Sequence, residues 1–144
     1  MSDIVYDISN KICVRKSDIH GHGIFAKEDI SKDEVLEVSR LLRLAWRMAY
    51  QQDPVIRDYC WGNTSCKCDQ CKMHGPHAYL ALGYGSIYNH HNVPNTKIHF
   101  DFDNNCYTVT SVMDIQKDQE IFTNYGADYW KHRGKTLTAE EPTV

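Results

Sequence analysis

Between Ile12 and Leu44 the chain is a series of short apolar runs, "ICV", "GHGIFA" and "EVLEVSRLLRL", separated by polar turns such as "EDISKDE". Runs of this length, rich in β-branched residues and bounded by turn formers, are strands rather than helices. Three short strands are predicted here. Further on, Ile98, Phe100 and Phe102 alternate with polar residues, "DNN" marks a tight turn, and "CYTVTSV" follows, which together predict a β-hairpin. Helical spacing is found mainly in "AWRMAYQQDPVIRDY", where Trp46, Ala49 and Tyr50 would share a face and Pro54 is expected to stop the helix. The fold class is therefore mainly β, built from small sheets with few and short helices.

With 144 residues the chain suits one domain and can bury a sizeable core. At 42% hydrophobic and 24% charged residues it has the composition of an ordered globular protein. A net charge of −3 argues against general binding of nucleic acid, which requires clustered Lys and Arg, but suits a basic peptide partner. The opening "MSDIVYDISN" is no secretory signal, and no window reaches the ~18 apolar residues of a membrane span. A cytoplasmic or nuclear protein with reduced thiols is expected, so the six cysteines are read as free thiols or metal ligands. One weak internal echo links "DISKDEVLEV" to "DIQKDQEIFTNY"; both are Asp-Ile-x-Lys-Asp turns that launch a strand.

Four segments carry chemistry. In "HGHGIFA", Gly21 and Gly23 allow backbone to approach a ligand, but the strand that follows excludes a dinucleotide fingerprint. In "CWGNTSCKCDQCKMHGPH", Cys66, Cys68 and Cys71 at C-x-C-x2-C spacing could hold structural zinc with His74, or Cys60 instead, as the fourth ligand. Free thiols in a variable loop are the other open reading. A catalytic metal is disfavoured. The third segment, "LGYGSIYNHHNVPN", packs two glycines, two tyrosines, two histidines and three asparagines into fourteen residues, and the fourth is "EIFTNYGADYW". Either of these alone could be a loop cap or an aromatic core cluster.

In this order and separation, however, "GHGIFA", "NHHNVPN" and "EIFTNYG" resemble the SET-domain protein lysine methyltransferases, from about Lys11 to Trp130. The compact viral and bacterial members, with their "ALGxGxxxNH" and "YGxDYW" runs, are the most similar. The resemblance implies a β-clip-like fold in which residues 89–95 and the strand ending at Tyr125 interlock as a C-terminal pseudoknot. It implies domain bounds of 11–130, with residues 1–10 as an arm, a Cys/His-rich insert at about 60–77 and a flexible tail at 131–144. The methyl donor would be S-adenosylmethionine, bound along Gly21, His22 and Gly23, with Asn89 and His90 holding its polar groups, Tyr125 beside it and Trp130 on the adenine. Tyr125 would be the catalytic-site tyrosine and Tyr59 would line the channel for the lysine of a basic protein or peptide tail, a histone tail first among them.

Two departures stand out. His91 occupies a position where many members have Ser, and no cysteine follows Cys106, so a Cys-rich segment after the domain is missing. Trp130, aided by a second subunit as in a homodimer, would then close that side of the pocket. The rival reading is a non-enzymatic SET-like module that binds protein through a zinc-stiffened loop.

Overall fold

The computed structural model describes residues 3–126. Two sheets carry the chain. The first has the order β5-β6-β4-β9-β8 and is built around the long strand β4 (Val35–Arg47), with β5 (Trp61–Gly62), β6 (His77–Ala81), β8 (Thr96–Asp101) and β9 (Cys106–Ser111); β1 (Asp7–Ile8) also pairs with β4. The second runs β2-β3-β10-β7, from β2 (Ile12–Lys16), β3 (His22–Ala26), β10 (Glu120–Thr123) and β7 (Asn89–His90). The strands expected after Ile12 and the hairpin of β8 and β9 are in place. Between the sheets lies one core in which Ile24, Leu36, Tyr88, Tyr107, Val109 and Ile121 are almost wholly buried.

The helical expectation for residues 45–59 needs correction. β4 continues through Arg47, a 3-10 turn covers Met48–Tyr50, and the helix α1 is Pro54–Tyr59. Pro54 starts this helix instead of stopping it: at the first helical position its missing N–H has no acceptor to lose. Asp53 caps the same end, its side chain accepting from the amides of Val55 (2.9 Å) and Ile56 (3.4 Å). A second helix, α2 (Asp69–His74), forms inside the cysteine-rich segment, where none was expected.

The echoed Asp-Ile-x-Lys-Asp turns pair with each other. Ile30 and Ile115 exchange backbone hydrogen bonds of 2.8 Å in both directions. Asp114 accepts from the Lys32 amide and Asp29 from the Lys117 amide, each at 2.9 Å, and Asp33 and Asp118 both adopt positive φ, at 67° and 71°. The repeat in sequence is thus a near two-fold contact that ties the launch of β4 to the launch of β10. Asp tolerates the left-handed conformation better than most residues, which suits it to the last position of each turn.

β7 and β10 pair in parallel, Phe122 opposite Asn89 and Thr123 opposite His90. The Asn95 side chain reinforces this by accepting from the Phe122 amide (2.8 Å) and donating to the Glu120 carbonyl (3.0 Å), while the Thr96 hydroxyl donates to the Phe122 carbonyl (2.7 Å). The segment from Asn89 to Thr96 and the last strand therefore interlock, as the pseudoknot expectation required.

Candidate active site

A cavity of about 610 Å³ opens where the two sheets and the insert meet, lined among others by Gly21, His22, Tyr59, Trp61, Asn89 and Tyr125. Groups more than a hundred residues apart in sequence converge there. The β2–β3 turn supplies Gly21 at φ +46°, a left-handed conformation in which a Cβ would meet no atom within 4 Å, so the backbone faces open space. Gly23 needs its glycine for a different reason. A Cβ there would stand 2.2 Å from Glu120 Oε2 and 3.0 Å from Asn89 Nδ2.

Glu120 is a site residue that sequence reasoning missed. Its carboxylate accepts from Asn89 Nδ2 at 2.7 Å and from the Ser17 hydroxyl at 2.6 Å, while the same Asn89 amide reaches the carbonyls of His20 (3.2 Å) and His22 (3.4 Å). Asn89 is thereby a latch between β7 and the glycine turn. In sequence Glu120 is one more acid beside a turn, and nothing local distinguishes it.

His90 is fully buried and is held as the neutral Nε2–H tautomer. Nε2 donates to Asn92 Oδ1 (3.2 Å), which leaves Nδ1 to accept from the Tyr125 amide (2.9 Å). Burial lowers its pKa; the hydrogen bond to Asn92 opposes that shift and the neighbouring His91 adds to it. Tyr125 stands edge-on to Trp61, with ring centres 5.3 Å apart, lies 5.2 Å from the His90 ring, and donates its hydroxyl to the Tyr88 carbonyl. Tyr59, half exposed at the end of α1, and Asp58 line the opposite wall. His91, the departure from the usual Ser, points its Nδ1 at the Val93 amide (3.0 Å) and lies 5.2 Å from the Phe122 ring, so it closes a turn.

The glycines of "LGYG" do not floor the cavity. They leave room for a buried polar cluster behind it: a Cβ at Gly83 would meet Glu37 Oε2 at 2.3 Å, and one at Gly85 would meet Tyr107 at 2.7 Å. Glu37, wholly buried, accepts from Tyr88 and Tyr107 hydroxyls and the Ser39 hydroxyl, all at 2.7 Å, and from the Tyr84 amide at 2.9 Å. Burial first, then the Glu37 charge, pushes both phenols well above their ordinary range. Strict alternation along β4 would not place Leu36 and Glu37 inside together. The register of β4 on β9 shifts between Val35 and Glu37, which lets Leu36 face inward beside Glu37, while Glu37 keeps the alternation that also buries Ser39 and Leu41. Through Tyr88, whose hydroxyl binds Glu37 and whose carbonyl accepts from Tyr125, the cluster supports the cavity from behind.

In the insert, the thiols of Cys66, Cys68 and Cys71 lie within 4.8 Å of one another. His74 and Cys60 are outside this group: the His74 ring is 3.0 Å from the Tyr50 hydroxyl and Cys60 Sγ is buried 3.3 Å from the Met48 sulfur. The Cys71 amide, then the Cys66 and Cys71 thiols, bring the Cys68 thiol down to about 7. His77 hydrogen-bonds Arg43 at 3.0 Å; burial, and then Arg43 and Arg47, lower its pKa. Trp130 lies outside the described residues, as does the tail at 131–144.

Residues 21–126 match the SET domain family, about three quarters of the chain, and the chain belongs to that family. It is a protein lysine methyltransferase, of the S-adenosylmethionine-dependent kind that the family comprises. It is 27% identical over 126 residues to a Schizosaccharomyces pombe protein named histone-lysine N-methyltransferase, H3 lysine-37 specific, which covers 85% of this chain and 78% of that protein. A Plasmodium falciparum structure described as a candidate histone methyltransferase superposes with a TM-score of 0.60 at 29% identity, covering 81% of this chain and 97% of the other. The Neurospora SET domain protein DIM-5, a histone lysine methyltransferase, shares the fold with a TM-score of 0.57 at 17% identity, over 80% of this chain and 52% of its own. Among the described residues no helix is long and apolar enough to cross a membrane.

Proposed function

We propose that the cavity binds S-adenosylmethionine against Gly21, His22, Gly23, Asn89 and His90, and that Tyr59 and Tyr125 orient the ε-amine of a lysine on a basic histone-type tail. The observation that carries this is the lining itself. It brings Gly21, Asn89, Tyr59 and Tyr125 to one cavity of ligand size, with an acid at Asp58 and no Lys or Arg among the described lining residues. Its polar groups include two phenols, the Asn89 amide, the His20 and His22 rings and the Asp58 carboxylate, and the carboxylate suits a cationic ligand. The donor supplies a methyl group on a sulfonium, already activated for displacement.

The protein is left with alignment and exclusion of water. An ordinary lysine, with a pKa of ~10.4, must present a neutral amine, and an aromatic, partly desolvated channel favours that form. Tyr125, locked by Trp61, His90 and the Tyr88 carbonyl, has the fixed hydroxyl such orientation needs; Tyr59 supplies a ring face on the other side. A phenol of ordinary pKa ~10 is a poor base at neutral pH, so orientation and electrostatics are the roles assigned. The names of the relatives, each a histone methyltransferase, favour a histone tail as substrate. Trp130 packing on adenine and a homodimer that closes this side belong to the same proposal.

Calorimetric titration with S-adenosylmethionine, combined with labelled-methyl transfer to histone-tail peptides, tests it. The parent and Tyr125→Phe should both bind the donor, Asn89→Ala should not, and Tyr125→Phe should lose about 10²-fold or more in kcat, the scale for one oriented hydroxyl. Near-parental turnover in Tyr125→Phe removes that residue from the assignment.

A further inference from the structure

The insert between β5 and β6 holds a feature that methyl transfer does not use. Trp61 pairs with Tyr79 and Gly62 with Ala78, and the intervening chain, residues 63–76, loops out and returns carrying Cys66, Cys68 and Cys71. We propose that these three thiols bind a zinc ion, with a fourth donor from solvent, and that the ion clamps the excursion onto β4.

Four observations carry the proposal. The sulfurs already lie within 4.8 Å of one another, and zinc–thiolate bonds of ~2.3 Å at tetrahedral angles need sulfurs ~3.8 Å apart, so a small contraction suffices. Cys68 stands at the N-cap position of α2 and Cys71 lies within the helix, so one short element carries two of the three sulfurs. Arg47 Nη1 donates to Cys71 Sγ at 3.2 Å and to the Gly75 carbonyl at 2.7 Å, so a cation stands beside the cluster. Three thiolates and a divalent ion leave one net negative charge, which Arg47 offsets.

Exposure supplies the last observation. Cys71 is buried and Cys68 exposed, so the cluster is anchored on one side and open to solvent on the other. His74 is engaged by Tyr50 and is not needed. Binding releases the thiol protons to solvent and oxidises nothing.

The clamp has a consequence for the cavity. β5 carries Trp61, which contacts Tyr125, and α1 with Tyr59 directly precedes it. Arg47, placed where the register of β4 on β6 shifts, joins the excursion to the central strand. Zinc at the cysteines would therefore hold the wall proposed for the peptide, while the glycine turn and Asn89 lie on the other sheet. This consequence rests on the proposed function; the metal site does not.

The test is elemental analysis and cobalt substitution of the full-length chain, purified under reducing conditions. The expected result is one equivalent of zinc per chain and, after exchange, the absorption of tetrahedral cobalt with thiolate charge-transfer bands. Cys66→Ser, Cys68→Ser and Cys71→Ser should each lower zinc affinity by about 10-fold or more, while Cys13→Ser and His74→Ala keep the full equivalent. Protein without zinc, or a triple Cys66→Ser, Cys68→Ser, Cys71→Ser variant that retains it, overturns the site. Circular dichroism and donor titration show whether those variants fold. Chelation should raise KM for a lysine peptide several-fold and leave donor affinity unchanged; equal loss of both overturns the local clamp, though not the metal site.

Discussion

The two walls of the cavity are built differently. On one side Asn89, His90 and Gly23 sit in a four-stranded sheet, nearly every polar atom tied to another segment: Asn89 to Glu120 and two carbonyls, His90 to the Tyr125 amide, β7 to β10 in parallel. On the other, α1 buries none of its six residues, α2 buries only Cys71, and Tyr59 is 49% exposed. A wall for one unvarying small molecule can be rigid. One for a peptide gains from a surface that closes on its ligand, at the cost of ordering it on binding. The difference predicts where substitutions hurt donor binding and where they hurt peptide binding.

The largest effect is expected behind the rigid wall. Glu37→Gln exchanges a carboxylate that accepts four hydrogen bonds for an amide with one acceptor and one donor group, and should lower stability by about 3 kcal/mol in denaturant titration. A loss below about 1 kcal/mol would mean that the cluster is less tightly coupled than its geometry implies. Gly23→Ala comes next. Its methyl must displace the Glu120 carboxylate from Asn89 and Ser17, which should cost about 1–3 kcal/mol and weaken S-adenosylmethionine in calorimetry, while Glu120→Ala in the same background should recover stability but not binding.

Acid is expected to loosen that wall through His90 and the insert side through His77. His90 and His77 both have folded pKa values below the ordinary ~6.5. As pH falls through and below that value the unfolded chain takes up protons first, so the stability these groups contribute is complete above it and lost towards their folded values. Protonated His90 would also turn a donor at the Tyr125 amide that Nδ1 now accepts from. Thermal melts from about pH 7.5 down to 5.5 should fall, and methyl transfer should share that acid limb; flat melts would take His90 out of the account. The smallest effect belongs to the looser wall: Asp53→Ala removes the α1 cap, with about 1 kcal/mol expected and KM for peptide raised more than donor affinity is lowered.

Much of this was legible without coordinates. The short strands, the hairpin, the Gly21–Gly23 turn, the Asn89–His90 pair and Tyr125 each leave a local mark: turn residues, alternation, or a motif at a set separation. The Asp-Ile-x-Lys-Asp echo was visible too, but not that its two copies bind each other, because pairing between residues 30 and 115 leaves no trace in either copy. Pro54 misled because a proline that ends one helix and a proline that begins another look alike until the cap at Asp53 is seen.

By itself, then, the sequence determined the fold class, the family and which groups are candidates for a ligand site, since these depend on residue type and local order. Tertiary structure alone decided what holds those groups. Glu37 is buried among the Tyr88, Tyr107 and Ser39 hydroxyls, Glu120 latches Asn89 across two strands, and "LGYG" makes room for the buried carboxylate. Each is set by close packing between distant segments, where a few ångströms decide whether an acid is solvated or buried, and single-residue chemistry carries no record of those distances.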